Sequence, residues 1–298
     1  MSDNTVLIVG SIGLDTIETP AEKQENIIGG STTYSLIAAS RYAPVSIVGI
    51  VGNDFPDKGH AIFNSYATNI DDLQIVEGET FRWGGKYHDN WDNRDTLYTK
   101  LGVFSDFRPK LSAHNKMRSN ILLANIHPDL QQLVIEQNDN KDALIVVDTM
   151  NLWINISRES LINVLSNSNI LLLSESEATL LTNQENLSDS ASKILDMGLE
   201  KVVIKKGSNG AELFSNNEHI SVGAYPVENV VDPTGAGDTF GGGFISVLAS
   251  GKSITDALVY GSSLASLCVE GFGANRLREV SESVIMERIT FLKSTLNS

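Results

Sequence analysis

Residues 235–238 hold the most concentrated chemistry in the chain. Two glycines flank an alanine, an acid follows, and the segment continues as Thr239-Phe240-Gly241-Gly242-Gly243. Without bulky side chains, the N–H groups of Gly235, Ala236 and Gly237 are able to point into one cavity. A helix beginning there adds its unpaired N–H groups and its macrodipole, both of which favour an anion. The pattern is that of an oxyanion or phosphate cradle. A carboxylate beside a bound anion is repelled by it, so Asp238 needs a task, and accepting a proton from an attacking hydroxyl is one. A helix N-terminus holds such a carboxyl ionised and weakly basic. The competing reading makes Asp238 a helix cap and the glycines a tight turn. Gly241-Gly242-Gly243 inside the expected helix each cost about 1 kcal/mol relative to alanine, which predicts the close approach of another backbone or a ligand.

Other phosphate and metal motifs are incomplete. Gly10-Ser11-Ile12-Gly13 follows an apolar run but lacks the third glycine of a dinucleotide-binding turn. Gly251-Lys252-Ser253 resembles the end of a P-loop, but Ser246 stands where its first glycine belongs. The five histidines are scattered, and the one cysteine, Cys268, excludes an intrachain disulfide and a cysteine zinc cage. Cys268 lies in an apolar run and reads as a buried thiol.

The elements that must position these groups follow from composition and periodicity. A net charge of −15 argues against a broad nucleic-acid-binding surface and against docking on an anionic membrane. No window approaches the ~20 apolar residues of a membrane span, and no signal peptide opens the chain. The expectation is a soluble, cytoplasmic protein. Short apolar runs at residues 6–9, 45–51, 121–124, 143–147, 170–173 and 202–204 read as strands buried on both faces. Helical patterns at 32–42, 129–138, 158–165 and 175–181 alternate with them, and three more follow at 239–249, 254–268 and 281–294. This is the signature of a parallel sheet with helices on both faces. Two stretches break it. Residues 15–26 are polar with no helical period. Residues 74–107 read as a hairpin turning at Gly84-Gly85, its strands carrying Arg82, Trp83 and Tyr87, and able to cover a site.

The stretch from Asp232 through Phe240 resembles the C-terminal signature of the ribokinase-like (PfkB-type) carbohydrate and nucleoside kinases. The opening residues 9–15, the pair Gly29-Gly30, the turn at 51–54 and Lys206-Gly207-Ser208-Asn209-Gly210 are also similar to that family, so the likeness spans about residues 6–275. The resemblance implies one domain over residues 1–298. Its fold would be α/β: ribokinase-like, doubly wound, with a mostly parallel sheet flanked by helices. A small β-sheet lid would form from about 15–28 and about 74–107. It implies phosphoryl transfer from ATP, with Mg2+, to a hydroxyl of a small molecule. Asp238 would be the base, and Gly235, Ala236 and Gly237 the anion hole. Asp15 would bind substrate hydroxyls, and Gly29 and Gly30 would let substrate approach the backbone. Lys206, Gly207, Gly210 and Thr234 would serve the nucleotide. Asp232 and Thr234, with the backbone at Gly273, match in type the positions where some relatives bind a monovalent cation such as K+. Some relatives also dimerise through the lid, which makes a homodimer an expectation here.

Two departures bear on specificity. Tyr34 stands where the family often has a sugar-binding Asn, and Ser174 replaces the Asn of an N-x-x-E motif whose Glu177 is retained to support Mg2+ through water. Asn151, at the C-terminal end of an expected strand, and Arg82 are further substrate candidates. A sugar is the favoured acceptor. A nucleoside, stacked on Tyr34 and the lid aromatics, is the alternative, and a non-catalytic ligand sensor on the same scaffold is the second.

Overall fold

The computed structural model describes residues 4–88, 91 and 94–296. The first half of the chain runs through β1 (Val6–Val9), β2 (Gly13–Glu18), β3 (Lys23–Gly29), α1 (Ser31–Ala39), β4 (Val45–Gly52), α2 (Asp57–Tyr66), β5 (Asn69–Val76), β6 (Phe81–Tyr87), β7 (Arg94–Lys100), β8 (Asn120–Leu123), α3 (Pro128–Gln137) and β9 (Leu144–Asp148). It continues through α4 (Asn151–Ile156), α5 (Arg158–Leu165), β10 (Ile170–Ser174), α6 (Glu175–Thr182), α7 (Leu187–Leu195), β11 (Lys201–Lys205), β12 (Ala211–Ser215) and β13 (His219–Val222). The helices α8 (Ala236–Ala249), α9 (Ile254–Cys268), α10 (Asn275–Glu279) and α11 (Glu282–Thr295) complete it.

Nine strands form one sheet in the order β13-β12-β11-β10-β9-β8-β1-β4-β5. It is parallel from β11 to β5, and β12 and β13 close one side antiparallel. The continuous apolar runs are buried on both faces because strand side chains alternate. Val6, Ile8, Leu172 and Val203 pack with α1, α8, α9 and α11. Leu7, Val9, Leu171 and Val202 pack on the opposite side with α3, α5, α6 and α7. The chain leaves β1 toward β4 on one side and returns to β8 on the other. The crevice between the ends of β1 and β8 is therefore the topological switch point, where ligands bind in such sheets.

A second sheet, in the order β3-β2-β6-β7, carries the two stretches that broke the alternation. The polar 15–26 stretch lies within a β2–β3 hairpin that reverses where Thr19 N–H donates to the Glu22 carbonyl. The expected turn at Gly84-Gly85 is not a turn. Both glycines lie inside β6, which continues through a bulge between them. A Cβ on Gly84 would meet the Tyr98 ring at 2.5 Å, and one on Gly85 would meet the Trp83 ring at 2.0 Å. The glycines make room for aromatic rings, and the reversal falls between Tyr87 and Arg94, partly outside the described residues. Residues 74–76 belong to β5, an edge strand of the large sheet, so the second stretch of the small sheet begins later than position 74.

The glycine triplet in α8 has a packing cause. A Cβ on Gly242 would lie 2.2 Å from the Ser35 carbonyl oxygen of α1, and one on Gly243 would lie 3.3 Å from Gly261 Cα of α9. Another backbone approaches there, rather than a ligand. The Ser35 hydroxyl donates to the Asp238 carbonyl at 2.9 Å and pins the first turn of α8 to α1.

Candidate active site

Gly235 is the N-cap of α8, with φ 78°. That left-handed conformation disfavours side chains, and here a Cβ would also strike the Tyr34 ring at 2.3 Å. The turn leaves the Gly235 and Gly237 amides without an acceptor among the described residues. The third expected member of the anion hole differs: the Ala236 N–H donates to the Pro233 carbonyl at 3.3 Å and closes the turn. Two bare amides therefore lead the cradle.

Lys205, which was not among the expected residues, brings a positive charge to the cradle. Its Nζ donates to Asp148 Oδ1 at 2.9 Å, and a Cβ on Gly237 would lie 3.2 Å from that Nζ. Glycine at 237 thus keeps the amides and the ammonium group in one open space. Burial alone would lower the Lys205 pKa, but Asp148, Glu177 and Asp238 outweigh it, so the group stays charged. Lys206 points elsewhere and pairs with Glu212 at 2.5 Å, which also holds His219. Strand parity explains the difference: Lys205 shares the face of Val203 and is directed toward α8, while Lys206 follows the strand's end.

The Asp238 carboxyl is not the weakly basic group that the helix dipole alone predicts. Burial and the neighbouring Asp148 raise its pKa from 3.8 to about 7, against the lowering effects of Lys205 and Arg94. A carboxylate titrating near neutrality is a competent proton acceptor.

Asp15 forms the opposite wall. Burial and the charge of Asp232 raise its pKa to about 7, while the Gly30 N–H lowers it. Asp15 and the backbone of Ser11 explain the glycine pair. A Cβ on Gly29 would lie 1.9 Å from Asp15 Oδ2, and one on Gly30, where φ is 87°, would lie 2.5 Å from the Ser11 carbonyl oxygen. In the β2–β6 register Asp15 pairs with Trp83, and in the β6–β7 register Tyr87 pairs with Arg94. Asp15, Trp83, Tyr87 and Arg94 thus share the inner face of the small sheet. The guanidinium carbon of Arg94 lies 4.8 Å from the centre of the Trp83 ring. Thr234 Oγ1 donates to Tyr87 Oη at 3.0 Å and ties this face to the turn before α8. Arg94 was not among the expected residues, because its face depends on where the hairpin turns.

Several expected residues serve other ends. Tyr34 is 1% exposed, so its ring cannot stack on a base, and its hydroxyl has no partner among the described residues. Burial, with Asp232 and Asp15 nearby, pushes its pKa well above 10. Arg82 lies on the outer face, bonded to Asn26 at 2.9 Å and Asp54 at 2.8 Å. Asn151 is exposed and accepts from the Leu152 N–H. Glu177 closes a capping box on α6, receiving the Ser174 N–H on Oε2 at 2.7 Å. Asp232 accepts the Thr234 and Gly273 amides, one on each oxygen, and so joins two loops. Gly207 has φ 55° in open space, and Gly210, with φ 91°, lets the Val222 carbonyl approach.

A doubly wound sheet, bare helix amides at its carboxyl edge and a small facing sheet define the ribokinase-like fold. The profile of the pfkB family carbohydrate kinases matches residues 5–280, and the chain belongs to that family. It is 24% identical over 273 residues to a cytidine kinase of Thermococcus kodakarensis, covering 90% of this chain and 97% of that one. It is 27% identical to a ribokinase of Staphylococcus aureus, covering 94% and 98%. The structure of Arabidopsis thaliana ribokinase complexed with ribose and ATP superposes with a TM-score of 0.79 at 22% identity, covering 98% and 100%. Among the described residues no helix is long and apolar enough to cross a membrane.

Proposed function

We propose that this protein transfers the γ-phosphoryl group of ATP to a hydroxyl of a small polar acceptor, a sugar in the first instance. The observation that carries this reading is the meeting of the bare Gly235 and Gly237 amides, the Lys205 ammonium group and a carboxyl tuned to about 7 at one helix end. The amides and Lys205 hold the charge that develops on the transferring group, which is where preorganised donors act most strongly. Asp15 orients the acceptor hydroxyl, and Asp238 takes its proton late in the transfer. The inner face of the small sheet acts as a lid that keeps water from the phosphoryl group.

The donor set fits a metal ion that arrives on the nucleotide. Among the described residues no three acidic, histidine or cysteine side chains are grouped to cage an ion, and one oxygen of Glu177 is spent on its helix cap. Mg2+ bound to the phosphates, with water-mediated support from Glu177, would neutralise part of their charge. Each Asp232 oxygen receives one amide and keeps a second acceptor site, so Asp232 would still hold a K+ there, outside the transfer step. A nucleoside remains the second reading of the acceptor, favoured by Trp83 on the inner face. The test is ADP release over a panel of sugars and nucleosides with wild type and Asp238→Asn. The variant is expected to bind ATP and lose turnover by about 100-fold or more. Equal rates would remove Asp238 from the reaction. Tight ligand binding with no ADP release by the wild type would instead indicate a sensor.

A further inference from the structure

The lid's charged groups are almost all paired. Lys23 meets Glu25, Lys86 meets Glu18 and Arg82 meets Asp54. Lys100 lies over the Tyr98 ring, on the outer face where Tyr98 bonds Thr16. Arg94 is different. It is on the inner face, by register with Tyr87, and is solvent-exposed. No carboxylate of the described residues comes within ion-pair distance of it. Its guanidinium lies over the Trp83 ring and beside the Tyr87 phenol, whose pKa burial raises and this charge lowers. Those two contacts orient the fork without neutralising it. The carboxylates that feel it are Asp15 and Asp238, across the site and beyond ion-pair range.

A guanidinium held over an aromatic ring, with open donors, is a bidentate receptor for a carboxylate or phosphate. Resting on the kinase reading above, we propose that Arg94 selects an acceptor bearing its own anionic group: a polyol with a carboxylate or phosphate substituent, rather than a neutral sugar or nucleoside. The acceptor's hydroxyl lies toward Asp15 and Asp238, and its anionic end lies against Arg94 and Trp83. The position suits specificity better than the transfer step, because Arg94 stands on the lid and Lys205 already serves the helix amides. An anionic substituent also resolves an imbalance, since the wall opposite Arg94 is acidic and repels the anionic end away from the reacting hydroxyl.

The experiment compares matched pairs: ribose with ribonate and ribose 5-phosphate, glucose with gluconate and glucose 6-phosphate, and cytidine with cytidine monophosphate. ADP release is measured for wild type, Arg94→Gln and Arg94→Lys, and thermal shift with each acceptor alone is measured in parallel. For at least one skeleton, the anionic member is expected to exceed its neutral partner at least tenfold in kcat/KM. The carboxylate and phosphate arms then distinguish the two sources of charge. Arg94→Gln is expected to cut that preference tenfold or more, chiefly through KM, and Arg94→Lys to restore part of it. A neutral member preferred by the wild type would overturn the proposal and leave the kinase reading standing. So would a loss in Arg94→Gln shared equally by both members of each pair, which would place Arg94 on the transferring group. Arg94-dependent thermal shifts without any ADP release would uphold the anion receptor and overturn the kinase reading. No shift and no release with any anionic member would overturn the proposal.

Discussion

The N-terminal end of α8 and the inner face of the small sheet stand on opposite sides of the site and are built by different rules. The α8 end is anchored by backbone. Gly242 lies against the Ser35 carbonyl, Gly235 against the Tyr34 ring, and the Asp238 carbonyl receives the Ser35 hydroxyl. Its chemical groups are main-chain amides and two side chains held by burial. The small sheet presents side chains from strands with a solvated outer face, and its inner surface is Trp83, Tyr87 and Arg94. A frame of packed backbone suits a transfer step shared by every acceptor. Exchangeable side chains on a covering sheet suit the choice of acceptor.

The sharpest break of this comparison is at Lys205. Lys205→Met is expected to lower kcat/KM for ATP by about 100-fold, the scale of a lost charge-stabilising donor. It also removes a group that lowers the Asp238 pKa, so the acidic limb of the rate profile, near pH 7, should move upward. The variant leaves Asp148 buried and unpaired, which destabilises. Asp148→Asn combined with Lys205→Met should recover melting temperature but not rate; full recovery of rate would show that Lys205 is only a structural partner.

Next in size is Gly242→Ala. Its methyl group would lie 2.2 Å from a backbone oxygen that cannot turn aside. A loss of about 3 kcal/mol is expected in denaturant unfolding, at the upper end of ordinary overpacking. Wild-type stability would show that α1 and α8 separate easily and that the anchored frame is not rigid.

A smaller effect sharpens the electrostatic side. The folded Asp238 pKa, about 7, is above its ordinary value of 3.8, so between those values the native state binds more protons than the unfolded chain. Asp238 therefore favours folding least above pH 7, and its penalty fades as pH falls toward 3.8. Asp238→Asn should melt above wild type at pH 8, with the gap closing toward pH 4. An unchanged gap would remove the raised pKa from the account. The smallest expected effect is Gly207→Ala. The residue has φ 55° but open space around it, so a cost of about 1 kcal/mol is expected, with turnover retained.

Much of the frame was legible in the residues. The apolar runs at 6–9 and 202–204 are strands, and residues 158–165 and 254–268 are helical. A helix does begin beside the Gly235–Asp238 stretch. Lys205 was legible too, had period-two parity been followed from Val203 instead of adjacency to Gly207. The small sheet was not: a Gly-Gly pair reads as a turn in one dimension, and the rings of Trp83 and Tyr98 that demand those glycines come from alternation and from a partner strand.

The sequence by itself determined the periodic strands and helices, the small-residue turn and acid that open α8, and the family likeness, because each rests on local spacing. Only the tertiary structure decided that Ala236 closes the turn, that Lys205 rather than Lys206 lies beside it, that Arg82 faces outward and Tyr34 is buried, and that Arg94 stands on the inner face of the small sheet. It also decided that Asp238 titrates near 7. Those outcomes depend on strand register and on burial among distant charges, which arise only when separate parts of the chain are packed against one another.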